Sequence, residues 1–196
     1  MGKGEETKSI ILNRAAQIAS TEGLEGLTIG LLAEDLGMSK SGIFGKFQSK
    51  EILQIEVLKV GTEMFRRNVI YPVLKTEPGL KRIKVLFSTW VDWIEGHQLP
   101  GGCLVLGSIS VYDDKPGMVR DYLIKVELEW MRLIERFLNE AKAAKVLKPG
   151  FKTDFFIQEL WGIILGFQLY HRFFKDAKSK TRAKANFEEL IQRSSA

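Results

Sequence analysis

The chain has 196 residues, 45% of them hydrophobic and 27% charged, with a formal net charge of +5. This composition supports a sizeable packed core and excludes disordered, collagen-like and fibrous classes. The positive surplus is compatible with a nucleic-acid partner, but its distribution does not by itself indicate one. Residues 1–50 carry six basic side chains (Lys3, Lys8, Arg14, Lys40, Lys46, Lys50) against six acidic ones, whereas residues 171–193 carry seven Lys/Arg against three Asp/Glu. A single cysteine, Cys103, excludes an intrachain disulfide framework and fits a reducing, cytoplasmic compartment. The N-terminal segment with Lys3, Glu5, Glu6 and Lys8 lacks the apolar core of a signal peptide. The most apolar stretch, residues 155–170, is interrupted by Gln158 and Glu159 and falls short of the roughly 20 residues that span a bilayer. A soluble protein with no membrane association is expected.

Helical periodicity dominates. Ile11, Ala15, Ile18 and Ala19 line one face of a first helix, which Gly23 stops. Thr28 caps a short second helix, 29–36, ended by Gly37; Ser39 caps a third to about Lys46; Ser49 caps a fourth starting at Lys50. Pro72 and Pro78 bracket the end of the fourth. A fifth helix covers Leu80 to Glu95, followed by the turn Leu99-Pro100-Gly101-Gly102. Residues 103–112 are rich in Leu, Val and Ile and resemble a strand, but with no second strand to pair with they are read as helix. Asp113 or Asp114 is expected to cap a long helix to about Ala144, with Pro116 in its first turn. Helices from Thr153 to about Phe174 and from Thr181 to Gln192 complete an all-α architecture of about nine helices.

Residues 28–47 have the makings of a helix-turn-helix, in which one helix braces a second that enters the major groove. Close approach of the two helices needs a small residue and a tight turn, supplied by Ala33 and, four positions on, Gly37. Leu32, Leu36, Met38, Ile43 and Phe47 provide the apolar contacts that seat the pair on the first helix. The remaining side chains of the third helix are mostly small or basic, as a groove-entering surface requires. Thr28 and Ser39 offer hydroxyls and free backbone N–H groups to phosphates, and Lys50 points a charge toward the same backbone. Lys40, Ser41, Gly42 and Gly45 are candidates for base-edge or close backbone contact, and Lys46 for a phosphate or a guanine.

The first 55 or so residues resemble the DNA-binding domain of the tetracycline-repressor (TetR) family. The likeness runs through Ala15-Ala16, Gly23, Leu27-Thr28-Ile29, Leu32-Ala33, Gly37-Met38-Ser39-Lys40-Ser41-Gly42-Ile43-Phe44 and Phe47-Gln48-Ser49-Lys50-Glu51-Ile52-Leu53. Family members often carry a phosphate-contacting Tyr where this chain has Phe44, leaving Phe44 for packing or for an apolar contact with a thymine methyl. Gly45-Lys46 stands in place of an aromatic-His pair. The resemblance implies a DNA-binding domain at 1–50 and a helical ligand-binding and dimerisation domain at 51–196. It further implies a homodimeric repressor released from a palindromic, double-stranded operator by a small-molecule effector. The segments Gly101-Gly102-Cys103-Leu104 and Asp113-Asp114-Lys115-Pro116-Gly117 resemble a C-terminal subtype of the same family.

An effector cavity would be mostly apolar with a few placed polar groups. Trp90, Trp93, Trp130 and Trp161 are candidates for its walls, and Cys103, Ser108, Tyr112 and Gln168 for its polar groups, although aromatic residues at helical spacing also build plain cores. Gly162 and Gly166, with Ile163 and Phe167, are candidates for a dimer interface by family analogy. An enzyme is not expected. The two histidines, His97 and His171, are far apart, and no phosphate loop, dinucleotide turn or metal-ligand spacing is present, so no cofactor or metal is anticipated. A DNA-binding or protein-interaction module without a ligand is the alternative.

Overall fold

The computed structural model describes residues 3–96 and 98–196; His97 lies outside the described residues. Ten α-helical segments follow one another: α1 (Lys3–Gly26), α2 (Ile29–Leu36), α3 (Lys40–Phe47), α4 (Lys50–Phe65), α5 (Tyr71–Leu74), α6 (Leu80–Glu95), α7 (Leu104–Tyr112), α8 (Met118–Ala143), α9 (Thr153–Gln168) and α10 (Ser179–Ser194). With the stretch 50–74 counted as one helix interrupted by a π-helical turn, the described residues form nine, as expected. The turn, Arg66–Ile70, has a local cause in Pro72. Proline has no N–H to donate and its ring presses on the carbonyl four residues back, so the preceding turn widens.

Two compact units are present. The first comprises residues 1–65 and 96–126, and the second residues 66–95 and 127–196. In the first, Ile11, Ala15, Ala16 and Ala19 of α1 are buried with Leu32, Ala33, Ile43, Phe47, Leu53 and Val57. The break in α1 falls at Gly23, whose φ of 75° and ψ of 162° suit only glycine, and one further turn follows it. The segment 103–112 is helical, and two glycines let it settle against its neighbours. A Cβ at Gly61 would lie 2.9 Å from Leu104 Cδ1, and one at Gly101 would lie 1.5 Å from the Ser20 carbonyl oxygen. The Gly101 N–H donates to Ser20 Oγ at 2.9 Å, fixing this turn on α1. Helix α8 begins at Met118, not at Asp113 or Asp114, and Pro116 lies ahead of it. Gly117, with φ of 141°, cannot extend a helix, so its carbonyl receives the first helical N–H, from Asp121.

In the second unit α6 turns Ile83, Leu86, Phe87, Trp90, Val91 and Ile94 inward. Phe87 stacks on Phe187 of α10 at 4.0 Å, and Trp90 meets Trp161 of α9 edge-on at 5.0 Å. Arg82 is buried, donating to Glu140 at 2.6 Å and to the Thr76 carbonyl at 2.8 Å, with its guanidinium over Phe137. A second π-helical turn, Leu169–Phe173, follows α9. Among the described residues no helix is long and apolar enough to cross a membrane.

Two glycine substitutions should act in opposite directions. Gly101→Ala drives a methyl into the backbone of α1 and should cost at least about 2 kcal/mol in chemical denaturation. Gly107 is mid-helix and exposed, with no atom within 4 Å of an added Cβ, so Gly107→Ala should stabilise by about 0.5–1 kcal/mol.

Candidate functional site

The α2–α3 turn is set by backbone chemistry. Gly37 sits in the left-handed conformation (φ 61°, ψ 30°). Its N–H bonds the Glu34 carbonyl at 3.2 Å while the Met38 N–H bonds the Ala33 carbonyl at 2.9 Å, a Schellman closure. Ala33 and Leu32 are buried, so a small residue of α2 faces the core of the head. Arg14 of α1 grips Asp35 with two hydrogen bonds of 2.6 Å, tying the end of α2 to α1 and holding the Asp35 carboxyl below its usual range.

Both helices are capped as their sequences predict. Thr28 Oγ1 accepts from the Leu31 N–H at 3.1 Å, and Ser39 Oγ accepts from the Gly42 N–H at 3.1 Å and from the Ser41 hydroxyl at 3.3 Å. Each oxygen only accepts in these bonds, so the caps offer an incoming anion their own O–H together with the remaining N–H groups of the first turns. Lys40 is exposed, and its stem passes over Gly30, where a Cβ would meet Lys40 Cε at 3.6 Å and Thr28 Oγ1 at 3.8 Å. Thr28, Lys40 and the start of α2 thus form one surface. Along α3, Ile43 and Phe47 are buried, Lys46 is half-buried, and Ser41, Gly42, Phe44 and Gly45 are exposed.

Lys50 is placed differently from the others. Its ammonium donates to the Glu25 carbonyl oxygen at 2.8 Å and to Glu25 Oε2 at 3.3 Å, at the end of α1. Lys115 approaches the same carboxylate at 3.5 Å and lies over the ring of the buried Tyr112. Burial pushes the Glu25 carboxyl upward, but Lys50, Tyr112 and Lys115 together outweigh it and hold it below the usual range. Burial and the Glu25 carboxylate push the Tyr112 phenol strongly up. Gln54, buried beside them, donates to the Leu24 carbonyl at 2.7 Å. Glu25, Gln54 and Lys115 were not singled out from the sequence, since only the fold brings positions 25, 50 and 115 together.

The candidate effector residues divide between the units. Cys103, Ser108 and Tyr112 belong to the first, where Cys103 is buried ahead of α7 and the Ser108 hydroxyl donates to the Leu104 carbonyl at 2.7 Å. Trp90, Trp93, Trp130, Trp161 and Gln168 belong to the second, with the Arg66 guanidinium over the Trp130 ring. Trp161 Nε1, Gln168 Oε1 and Glu127 Oε2 are buried without a hydrogen-bond partner among the described residues. On α9, Gly162 is exposed, Ile163 and Gly166 are half-buried, and these three border a groove of about 260 Å³ shared with α10. Phe167 lines the groove but is only 3% exposed, stacking near His171. Leu165, Leu169, Tyr170 and Phe173 stand out from the same region, Phe173 being 76% exposed. No His, Cys, Asp or Glu cluster among the described residues is arranged to hold a metal ion.

Burial lifts the Glu127 carboxyl to about 7. A carboxyl raised on folding favours the folded state while it stays protonated, so its contribution is complete below about pH 4 and fades as pH rises through 7. Glu127→Gln should remove that slope and raise the melting temperature at pH 8 by about 5 °C, which thermal denaturation across pH 4–8 would measure.

Residues 11–57 match the family model described as bacterial regulatory proteins of the tetR family, and residues 79–187 match that of the tetracyclin repressor-like C-terminal domain. No curated protein matches the sequence. Among solved structures, a TetR transcriptional regulator from Chloroflexus aurantiacus J-10-fl superposes with a TM-score of 0.88 at 22% identity, over 100% of this chain and 99% of that one. A regulator from Saccharomonospora viridis in complex with choline gives 0.85 at 16% identity, covering 98% and 99%. AibR in complex with isovaleryl coenzyme A and operator DNA gives 0.71 at 18% identity, covering 90% and 94%. At these identities the structures attest the fold, and the family models, whose C-terminal match alone exceeds half the chain, attest the lineage. The chain belongs to the TetR family of transcriptional regulators, DNA-binding proteins and not enzymes.

Proposed function

We propose that this regulator is a cytoplasmic homodimeric repressor that leaves a palindromic operator when a small molecule binds. Residues 1–50 would be the DNA-binding head and residues 51–196 the ligand-binding and dimerisation part. The observation that carries the reading is the exposed side of α3, where Ser41, Gly42 and Gly45 keep the helix backbone within reach of base edges. Thr28, Ser39, Lys40 and Lys46 supply phosphate contacts around it. Lys50 adds less than its charge suggests, because Glu25 already holds its ammonium.

One short helix reads only a few base pairs, so two symmetric heads are needed for useful specificity. The exposed Leu165, Leu169, Tyr170 and Phe173 around α9, with Gly162, Ile163 and Gly166 allowing close approach, supply an apolar face for a second copy, and Phe167 supports it from beneath. An effector is favoured by Trp161 Nε1 and Gln168 Oε1, buried polar groups of one helix face that require partners. Trp90, Trp93 and Trp130 would shape the apolar part of that site, whereas Cys103, Ser108 and Tyr112 belong to the first unit. The neighbours crystallised with choline and with isovaleryl coenzyme A fit the idea of a small-molecule effector without naming this one.

Selection from random DNA should return an inverted repeat whose half-sites lie about one helical turn apart; a solitary half-site bound by a monomer would overturn the dimeric reading. On the selected operator, Lys40→Ala should weaken binding to all sequences and lower the salt slope by about one per protomer. A metabolite that raises the melting temperature should also weaken operator binding, and a tight ligand that leaves operator affinity unchanged would refute the release mechanism.

A further inference from the structure

We propose that Phe44 reads sequence for this protein, by van der Waals contact with the 5-methyl group of a thymine in the operator. The inference rests on the DNA-binding reading and adds to it the base that is recognised and the group that recognises it. At 3.6 residues per turn, the buried pair Ile43 and Phe47 fixes which side of α3 is inward. Ser41 and Gly45, one turn apart, then point outward, with Phe44 rising at the edge of that outward side. Phe44 is 54% exposed. Its neighbour Gly45 has no side chain and open space where a Cβ would stand. Of the apolar side chains of α3, Phe44 is the one left open to solvent, Ile43 and Phe47 being buried.

A large apolar side chain left in water gains little for folding, since the hydrophobic contribution scales with the area removed from water. The other strongly exposed phenylalanines, Phe155, Phe173 and Phe174, lie on or just after α9, whereas Phe44 stands among serine, lysine and glycine. Its usefulness lies in what the helix touches. Base edges in the major groove present hydrogen-bond donors and acceptors, with one apolar exception among the four standard bases, the thymine methyl. A phenyl ring can neither donate to nor accept from the polar groups, so it favours thymine and penalises cytosine, whose exposed amino group it would strip of water. Ser41 can serve several bases and the two glycines offer no side chain, so Phe44 is the exposed apolar group of α3 that a thymine methyl can meet.

The test substitutes deoxyuridine for each thymine of the selected operator, removing only the methyl group. In the wild-type protein one position per half-site should lose affinity by about fourfold, the worth of one buried methyl group, and about 15-fold when both half-sites are changed. Phe44→Ala, whose fold is checked by its melting curve, should bind the thymine operator more weakly and show less than a twofold change at that same position. Equal deoxyuridine effects in both proteins, or no effect in either, overturn the assignment. So does a Phe44→Ala defect that is the same on every sequence, which would place the ring against the sugar-phosphate backbone. A wild-type protein that selects no DNA removes the DNA-binding reading and this inference with it, an outcome distinct from selective binding that ignores the methyl.

Discussion

The angle at which α3 leaves α2 depends on two backbone hydrogen bonds around Gly37. A β-carbon there would be strained by the left-handed conformation, and a larger residue at Ala33 would push the helices apart. Everything proposed for the exposed side of α3 requires that angle. The Ser39 cap sets where α3 begins, Ile43 and Phe47 set its rotation, and the outward direction of Ser41 and Gly45, with Phe44 on the flank, follows. The Arg14–Asp35 pair adds a charged strut at the end of α2, exposed and so of modest energetic weight, but bidentate and therefore directional.

Electrostatics in the head work by placement. With six positive and six negative side chains in residues 1–50, no strong field draws DNA in, and individual positive groups differ in what they can do. Lys40 projects into solvent at the start of α3, Lys46 is half-buried, and Lys50 is committed to Glu25. Glu25 also meets Lys115, so one carboxylate joins the end of α1 to the first turn of α4 and to the loop after α7. The Gly101–Ser20 contact joins the same helix to the turn before α7.

Much of this was legible in the sequence because the signals were local. Thr28, Gly37, Ser39 and Ser49 mark helix ends through their own hydrogen bonds or backbone angles, and all four act where their residue types predict. The start of α8 was misread because Asp113, Asp114 and Pro116 form a plausible cap, while the decisive residue was Gly117, whose positive φ only the folded loop reveals. The π-helical turns escaped because hydrophobic spacing does not distinguish a single turn of i→i+5 hydrogen bonds from a gently irregular α-helix. The Glu25 cluster and the Gly101 contact escaped for a different reason: they join positions 25 to 90 residues apart, and nothing in either stretch announces its partner. The four tryptophans all lie after residue 50, but composition could not foretell that Trp161 would keep its indole nitrogen buried and unbonded.

The two glycines of α3 carry a cost that the recognition surface makes unavoidable. Each is worth up to about 1 kcal/mol against an alanine in a helix interior, and eight residues are too few for a helix to persist alone in water. The segment that must touch DNA therefore owes its shape to a serine cap and to the two side chains it buries. Its amides should open by local fluctuation far more readily than those of α1, so part of the binding energy is spent quenching that motion. Affinity in such a head can be tuned through the rigidity of α3 as readily as through its contacts.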